Sequence, residues 1–191
     1  MNRETEWVKA YSKGFAILGF KNVNLTDINQ FLEGLRREVS QAHIQFFDAR
    51  RIAGRQHLFF SALNALKAFE RKVNISNNVA IESLLYASAQ RQIRKAVTQL
   101  GIKETSSNIA LLVITETEEE MVQALETITR MIPGERDDNV LQLTDEKIVE
   151  IRNLFGISDL ELAAKCTRKD LETEALIELV IEHIALLAIQ R

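Results

Sequence analysis

With one proline and seven glycines in 191 residues, the chain has little material for tight hairpins or linkers. That scarcity argues against an all-β fold and for long helices. The single cysteine, Cys166, excludes an internal disulfide and a multi-thiolate zinc site, so a reducing, cytoplasmic setting is expected. No apolar run is long enough to span a bilayer: the stretch Ile184 to Ile189 is far too short and follows Glu178, Glu182 and His183. Residues 1–13 are polar and charged where a signal peptide would need an apolar core. Phosphate-loop, G-x-G-x-x-G, G-x-S-x-G, H-E-x-x-H and C-x-x-C patterns are all missing, and the three histidines are scattered. No metal or cofactor is expected, and the chain is not expected to be an enzyme by itself. Glu118–Glu120 has the charge for a cation, yet acids at a helix start are what the helix dipole favours.

The chain is 46% hydrophobic and 27% charged, the balance of an ordinary globular protein, and its length suits one well-buried core. Its net charge of −3 hides an asymmetry. Between Asp48 and Lys95 nine Lys/Arg face three acids, a local charge of +6, which leaves −9 for the remainder. A basic middle inside an acidic protein is the pattern of a local footprint for a polyanion, or of cations scattered over solvated helix faces.

The order of elements is read from periodicity. Phe15–Val23 is expected as a strand, followed by a helix capped by Thr26 with Ile28, Phe31, Leu32 and Leu35 on its apolar side. His43–Phe47 is a second strand. Beyond Gly54, a helix from about Gln56 to Arg71 turns Leu58, Ala62, Ala65, Leu66 and Phe69 inward, with His57, Ser61 and Asn64 on a smaller polar face. Asn108–Thr115 is a continuous apolar and β-branched run, expected to be a central strand buried on both faces. Thr117–Glu120 fits a capping box for a helix reaching Met131, and Pro133-Gly134 turns the chain. Glu135–Asn139 is expected as an exposed turn and Val140–Leu143 as an edge strand. Helices follow from Asp145 to Phe155, from the Ser158–Glu161 capping box, and from Thr167–Asp170, which is close to a third such box. The last helix carries Leu171, Leu176, Leu179, Val180, Ile184, Leu187 and Ala188 on a wide apolar face. The expected architecture is one α+β domain over residues 1–191: a small, mostly antiparallel sheet packed by several helices, with a helical C-terminal part over 144–191.

The most informative stretch runs from Asn74 to Lys95. A polar cluster (Asn74, Ser76, Asn77, Asn78) can cap a helix, and Ile81, Leu84 and Leu85 follow it. Continued as one helix, the segment puts Ser88, Arg91 and Lys95 on one stripe, with Arg94 flanking. Ile81, Leu85, Ala89, Ile93 and Val97 make the buried stripe, and Gly101 closes it. Cations neutralise phosphates, while Asn, Ser and Gln can hydrogen-bond base edges or ribose hydroxyls of an unpaired RNA end. Asn74, Ser76, Asn77, Ser88, Arg91, Gln92 and Lys95 form such a pocket if the turn folds toward the helix face. Read from periodicity alone, the Asn74–Asn78 cluster is better taken as an N-cap, and Arg91, Arg94 and Lys95 as a solvated helix face.

The order Asn74-Ile75-Ser76, then Glu82-x-Leu84-Leu85-Tyr86-Ala87-Ser88-Ala89-x-Arg91-Gln92-Ile93, resembles the small tRNA-recruiting subunit of the KEOPS (EKC) complex. That complex makes threonylcarbamoyladenosine in tRNA. Phe46–Leu58, Asn64–Phe69 and Leu154–Asp159 also look like members of this family, and residues 44–100 are the specific part of the match. Residues 1–14 carry none of it. The resemblance implies a non-catalytic protein that binds the small atypical kinase/ATPase subunit of the complex and holds the single-stranded CCA end of tRNA. It implies RNA contact by the Asn74–Asn78 turn with Arg91, Gln92 and Lys95, supported by Lys67 and Arg71. It implies kinase contact by the final helix through Leu176, Val180, Ile184 and Leu187. An adaptor that docks the kinase without touching RNA is the alternative, and an isolated chain has the apolar surface to self-associate as a homodimer. A small enzyme would need convergent titratable groups, for which His57 with Glu82 is the one pairing the sequence offers.

Overall fold

A computed structural model describes residues 5–8, 11–166 and 172–187. The sheet is antiparallel throughout. Strand β2 (Lys13–Lys21) pairs along one edge with β4 (Ile109–Thr115), which in turn pairs with β3 (His43–Asp48). The other edge of β2 is shared by β1 (Thr5–Val8) and the two-residue β5 (Glu135–Arg136). The expected strands at 15–23, 43–47 and 108–115 therefore form, and β4 is buried at all seven positions between its two neighbours.

Alternation along the strands divides the interior into two layers. Phe15, Ile17, Phe47, Ala110, Leu112 and Ile114 face one side. There they meet α2 (Gly54–Glu70), α3 (Val79–Ala87), α4 (Ile93–Leu100) and the C-terminal helices α6 (Asp145–Phe155), α7 (Asp159–Lys165) and α8 (Glu172–Leu187). Ala16, Leu18, Phe20, Phe46, Leu111 and Val113 face the other side, covered by α1 (Ile28–Glu38) and α5 (Glu118–Met131). The architecture is α+β, with the helical C-terminal part packed on the α2–α3 side.

Local chemistry sets most boundaries. Thr117 and Ser158 form the expected capping boxes with Glu120 and Glu161. The cap of α1 is Asp27 and not Thr26: its carboxylate accepts the Gln30 N–H at 2.9 Å. Gly101 closes α4 for a steric reason, since a Cβ there would sit 2.5 Å from the Val97 carbonyl oxygen. Val140–Leu143 is not an edge strand. Asp138–Leu141 winds into a 3-10 turn against β2, where Asp138 Oδ1 accepts the Gly19 N–H at 2.8 Å. Only glycine fits opposite that turn: a Cβ at Gly19 would lie 2.6 Å from both the Asp137 carbonyl oxygen and Val140 Cγ2. The place on the β2 edge goes instead to Glu135–Arg136, expected as a turn. The Thr167–Asp170 box, Leu171 and Ala188 lie outside the described residues.

Candidate nucleic-acid interface

Helices α2 and α3 form a hairpin, and the Asn74–Asn78 cluster is its turn. Helix α2 ends with Lys72 in the left-handed region at φ 55°, while the Lys72 and Val73 N–H groups return to the Phe69 and Ala68 carbonyls. Asn78 opens α3, its side-chain oxygen accepting the Ala80 and Ile81 N–H groups. Between these ends the turn folds on itself. Asn74 Nδ2 donates to the Ser76 carbonyl, and Ser76 Oγ accepts the Asn78 N–H. Glu82, only 1% exposed, accepts the Ile75 and Ser76 N–H groups on one carboxylate oxygen at 3.0 and 2.8 Å. Ser76 is thus buried and occupied within the chain, Asn74 is half-buried, and Asn77 is exposed.

At its far end, α3 stops where the sequence pattern runs on. Ala89 takes a left-handed φ of 49°, and the Ala89 and Gln90 N–H groups bond the Tyr86 and Leu85 carbonyls, the two-bond closure that normally carries glycine. Residues 88–92 bend, and α4 restarts at Ile93 with a new phase. The single helix expected through Lys95 is therefore two helices, and its stripes dissolve. Ile93 and Val97 are 44% and 47% exposed, while Ala96 and Leu100 take the core positions. Ser88 leaves the RNA-facing set: it is buried, with its hydroxyl directed to the Leu84 and Leu85 carbonyls.

His57 fixes this bend. Its Nδ1 accepts the Ala53 N–H at 3.0 Å, so Nε2 carries the proton and donates to the Ala87 carbonyl at 2.8 Å, one of the last carbonyls of α3. The ring is fully buried, edge-on to Phe155, and burial pushes its pKa down to about 4. Neither His57 nor Glu82 has a hydrogen bond to the other. Each serves backbone groups at a different end of α3, and they do not form the acid–base pair considered from sequence.

The basic segment divides into cations held by the chain and cations offered to solvent. Arg50 forks onto Asp48, and its guanidinium holds that buried carboxyl below the ordinary range against the opposing effect of burial. Arg51 binds Glu150 and the Thr98 and Gln99 carbonyls, and Arg55 donates to the Ile17 carbonyl. Lys67 is half-buried on α2. Arg71, Lys72, Arg94 and Lys95 are exposed and make no ion pair among the described residues; Arg91 and Gln92 are exposed beside them. Arg71, Lys72 and Asn77 lie at the turn, and Arg91, Gln92, Arg94 and Lys95 beyond the bend. Nine residues of α3 separate the two groups, about 13 Å along the helix axis. The expected pocket is therefore two surface clusters, one at each end of α3. Lys72 and the organising role of Glu82 were not anticipated; the signal for the latter was an acid four residues after the Asn78 cap.

On α8, Leu176, Val180, Ile184 and Leu187 are buried in the chain's own core and offer no surface to a partner. The outward face carries Glu174, Glu178, Glu182, Ala185 and Leu186, the last 49% exposed. Among the described residues no helix is long and apolar enough to cross a membrane, and no group of three His, Cys, Asp or Glu side chains is placed to hold a metal ion.

Two comparisons bear on this geometry. Residues 20–188 match the family model described as kinase binding protein CGI-121. The chain is also 33% identical, over 135 residues, to a protein of Methanocaldococcus jannaschii named regulatory protein Cgi121; that match covers 71% of this chain and 83% of the relative. With nearly all of the described fold inside the matched region, the chain belongs to the CGI-121 family of kinase binding proteins.

Proposed function

We propose that this protein is a non-catalytic subunit of the KEOPS tRNA-modifying complex that binds the atypical kinase/ATPase subunit and holds the CCA 3′ end of tRNA. The observation carrying the RNA half is the bracketing of α3 by exposed cations, Arg71 and Lys72 at one end and Arg94 and Lys95 at the other, none ion-paired among the described residues. Such groups exchange solvent counterions for phosphates at little cost to the fold. Exposed Asn77 and Gln92 add neutral donors and acceptors able to read an unpaired base. The kinase half rests on membership of a kinase-binding family, and the outer face of α8, with Ala185 and Leu186, is the surface we assign to it.

The test is binding of the purified chain to intact tRNA and to the same tRNA lacking CCA, at two salt concentrations. We expect salt-sensitive binding that needs the CCA end and weakens in Lys95→Glu. Equal affinity for both RNAs would sink the assignment. An adaptor without RNA contact is favoured by one observation: Ser76 and Ser88 are occupied inside the chain. Under that reading Lys95→Glu leaves tRNA modification by the assembled complex unchanged, whereas Leu186→Glu abolishes kinase binding.

A further inference from the structure

Glu82 is a buried carboxylate with no ion pair among the described residues. Leaving such a charge in the interior is costly unless hydrogen bonds and dipoles compensate it. Its compensation is local: the first turn of α3, whose N-terminal dipole favours an anion, and the N–H groups of Ile75 and Ser76. Neither helix needs this arrangement in order to end. The Lys72 and Val73 bonds already close α2, and Asn78 already caps α3. The two N–H groups that Glu82 takes belong to the residues in between, so what the carboxylate fixes is the path of the turn. That path determines where Asn77 points relative to Arg71 and Lys72, which the closure of α2 already places.

We infer that Glu82 is a positioning residue of the RNA-binding turn: its buried carboxylate pins the Ile75–Ser76 backbone so that Asn77 is presented, preorganised, beside the Arg71–Lys72 cations. This rests on the RNA-holding reading proposed above. Ordering a free loop on binding would reduce affinity, and a turn already held in shape avoids that loss. Only the contacts made by the turn depend on it; the surface of α8 does not.

The experiment compares the full-length protein with Glu82→Gln and Glu82→Leu. Each is titrated with intact and CCA-less tRNA and with the purified kinase subunit, and hydrogen exchange of the Ile75 and Ser76 amides is followed by NMR. Losing an acceptor shared by two amides is expected to weaken binding of intact tRNA by about ten-fold in Glu82→Leu, the effect of one charge-assisted interaction. Binding of CCA-less tRNA and of the kinase stays at the wild-type level. Glu82→Gln keeps an acceptor oxygen without the charge and recovers part of that loss, with the two amides exchanging faster than in wild type. If Glu82→Leu fails to fold, Glu82→Gln decides: wild-type exchange together with wild-type discrimination overturns the inference. Parallel loss of kinase and tRNA binding also overturns it, because that is what a merely structural residue would produce. A wild-type protein that ignores the CCA end overturns the RNA reading itself and this inference with it, whereas discrimination surviving in Glu82→Leu overturns the inference alone.

Discussion

His57 holds two helices together only while it is neutral. Its Nδ1 takes a proton donor, the Ala53 N–H, so protonation of that nitrogen would set two donors against each other inside the core. Burial lowers the folded-state pKa from 6.5 to about 4, with Lys147 adding to the effect and the Ala87 hydrogen bond opposing it. Between these values the unfolded chain binds the proton and the folded chain does not. Stability present above pH 6.5 is therefore lost as the pH falls toward 4. The loss from this one group reaches about 3 kcal/mol at the acid end. Urea denaturation at pH 7 and pH 4.5 measures it. Against wild type, His57→Gln should be less stable at pH 7 yet show a flatter acid dependence, and an equal slope in both proteins would remove His57 as the cause. The sequence placed His57 and Ser61 on a polar face of α2, but both are fully buried. Their partners are backbone carbonyls and N–H groups, which no side-chain pattern discloses.

Element boundaries were legible where a residue type dictates the cap, as at Thr117, Ser158 and Gly101, and illegible where the residue present is the uncommon choice. Ala89 is the instructive case. A helix closing through a left-handed residue ordinarily shows glycine, so an alanine there leaves the pattern reading as uninterrupted helix. The five-residue bend then resets the phase, which is why Ile93 and Val97 were assigned inward and lie outward. The same feature yields a stability prediction. A left-handed alanine carries steric strain that glycine lacks, partly offset by the larger entropy of an unfolded glycine. Ala89→Gly is expected to stabilise the protein by about 0.5–1 kcal/mol, a rise of a few degrees in Tm. Thermal unfolding followed by circular dichroism checks it. A lower Tm would mean that the bend does not hold Ala89 in this conformation.

At the scale of the whole molecule, the sequence disclosed the α+β layout and the basic middle, but not how that charge is shared between interior and surface. Arg50, Arg51 and Arg55 look like RNA ligands in a composition count and are engaged by Asp48, by Glu150 and by backbone carbonyls. The apolar face of α8 could equally be core or interface, and it is core. What remains for a polyanion is a surface in two parts, at opposite ends of α3 and about 13 Å apart along its axis. Sites that far apart and not in contact tend to behave additively, so a double-mutant cycle tests whether the two clusters act independently on the bound RNA. Arg71→Glu and Lys95→Glu should each weaken tRNA binding. Each should also lower the slope of log affinity against log salt by about one, the signature of one phosphate contact removed. The double variant should show the sum of both losses. If only one single variant changes the slope, the RNA occupies one end of the hairpin and the other cluster serves something else. If neither does, the exposed cations at the turn and on α4 are a solvated surface, and the kinase-docking adaptor becomes the better account of the protein.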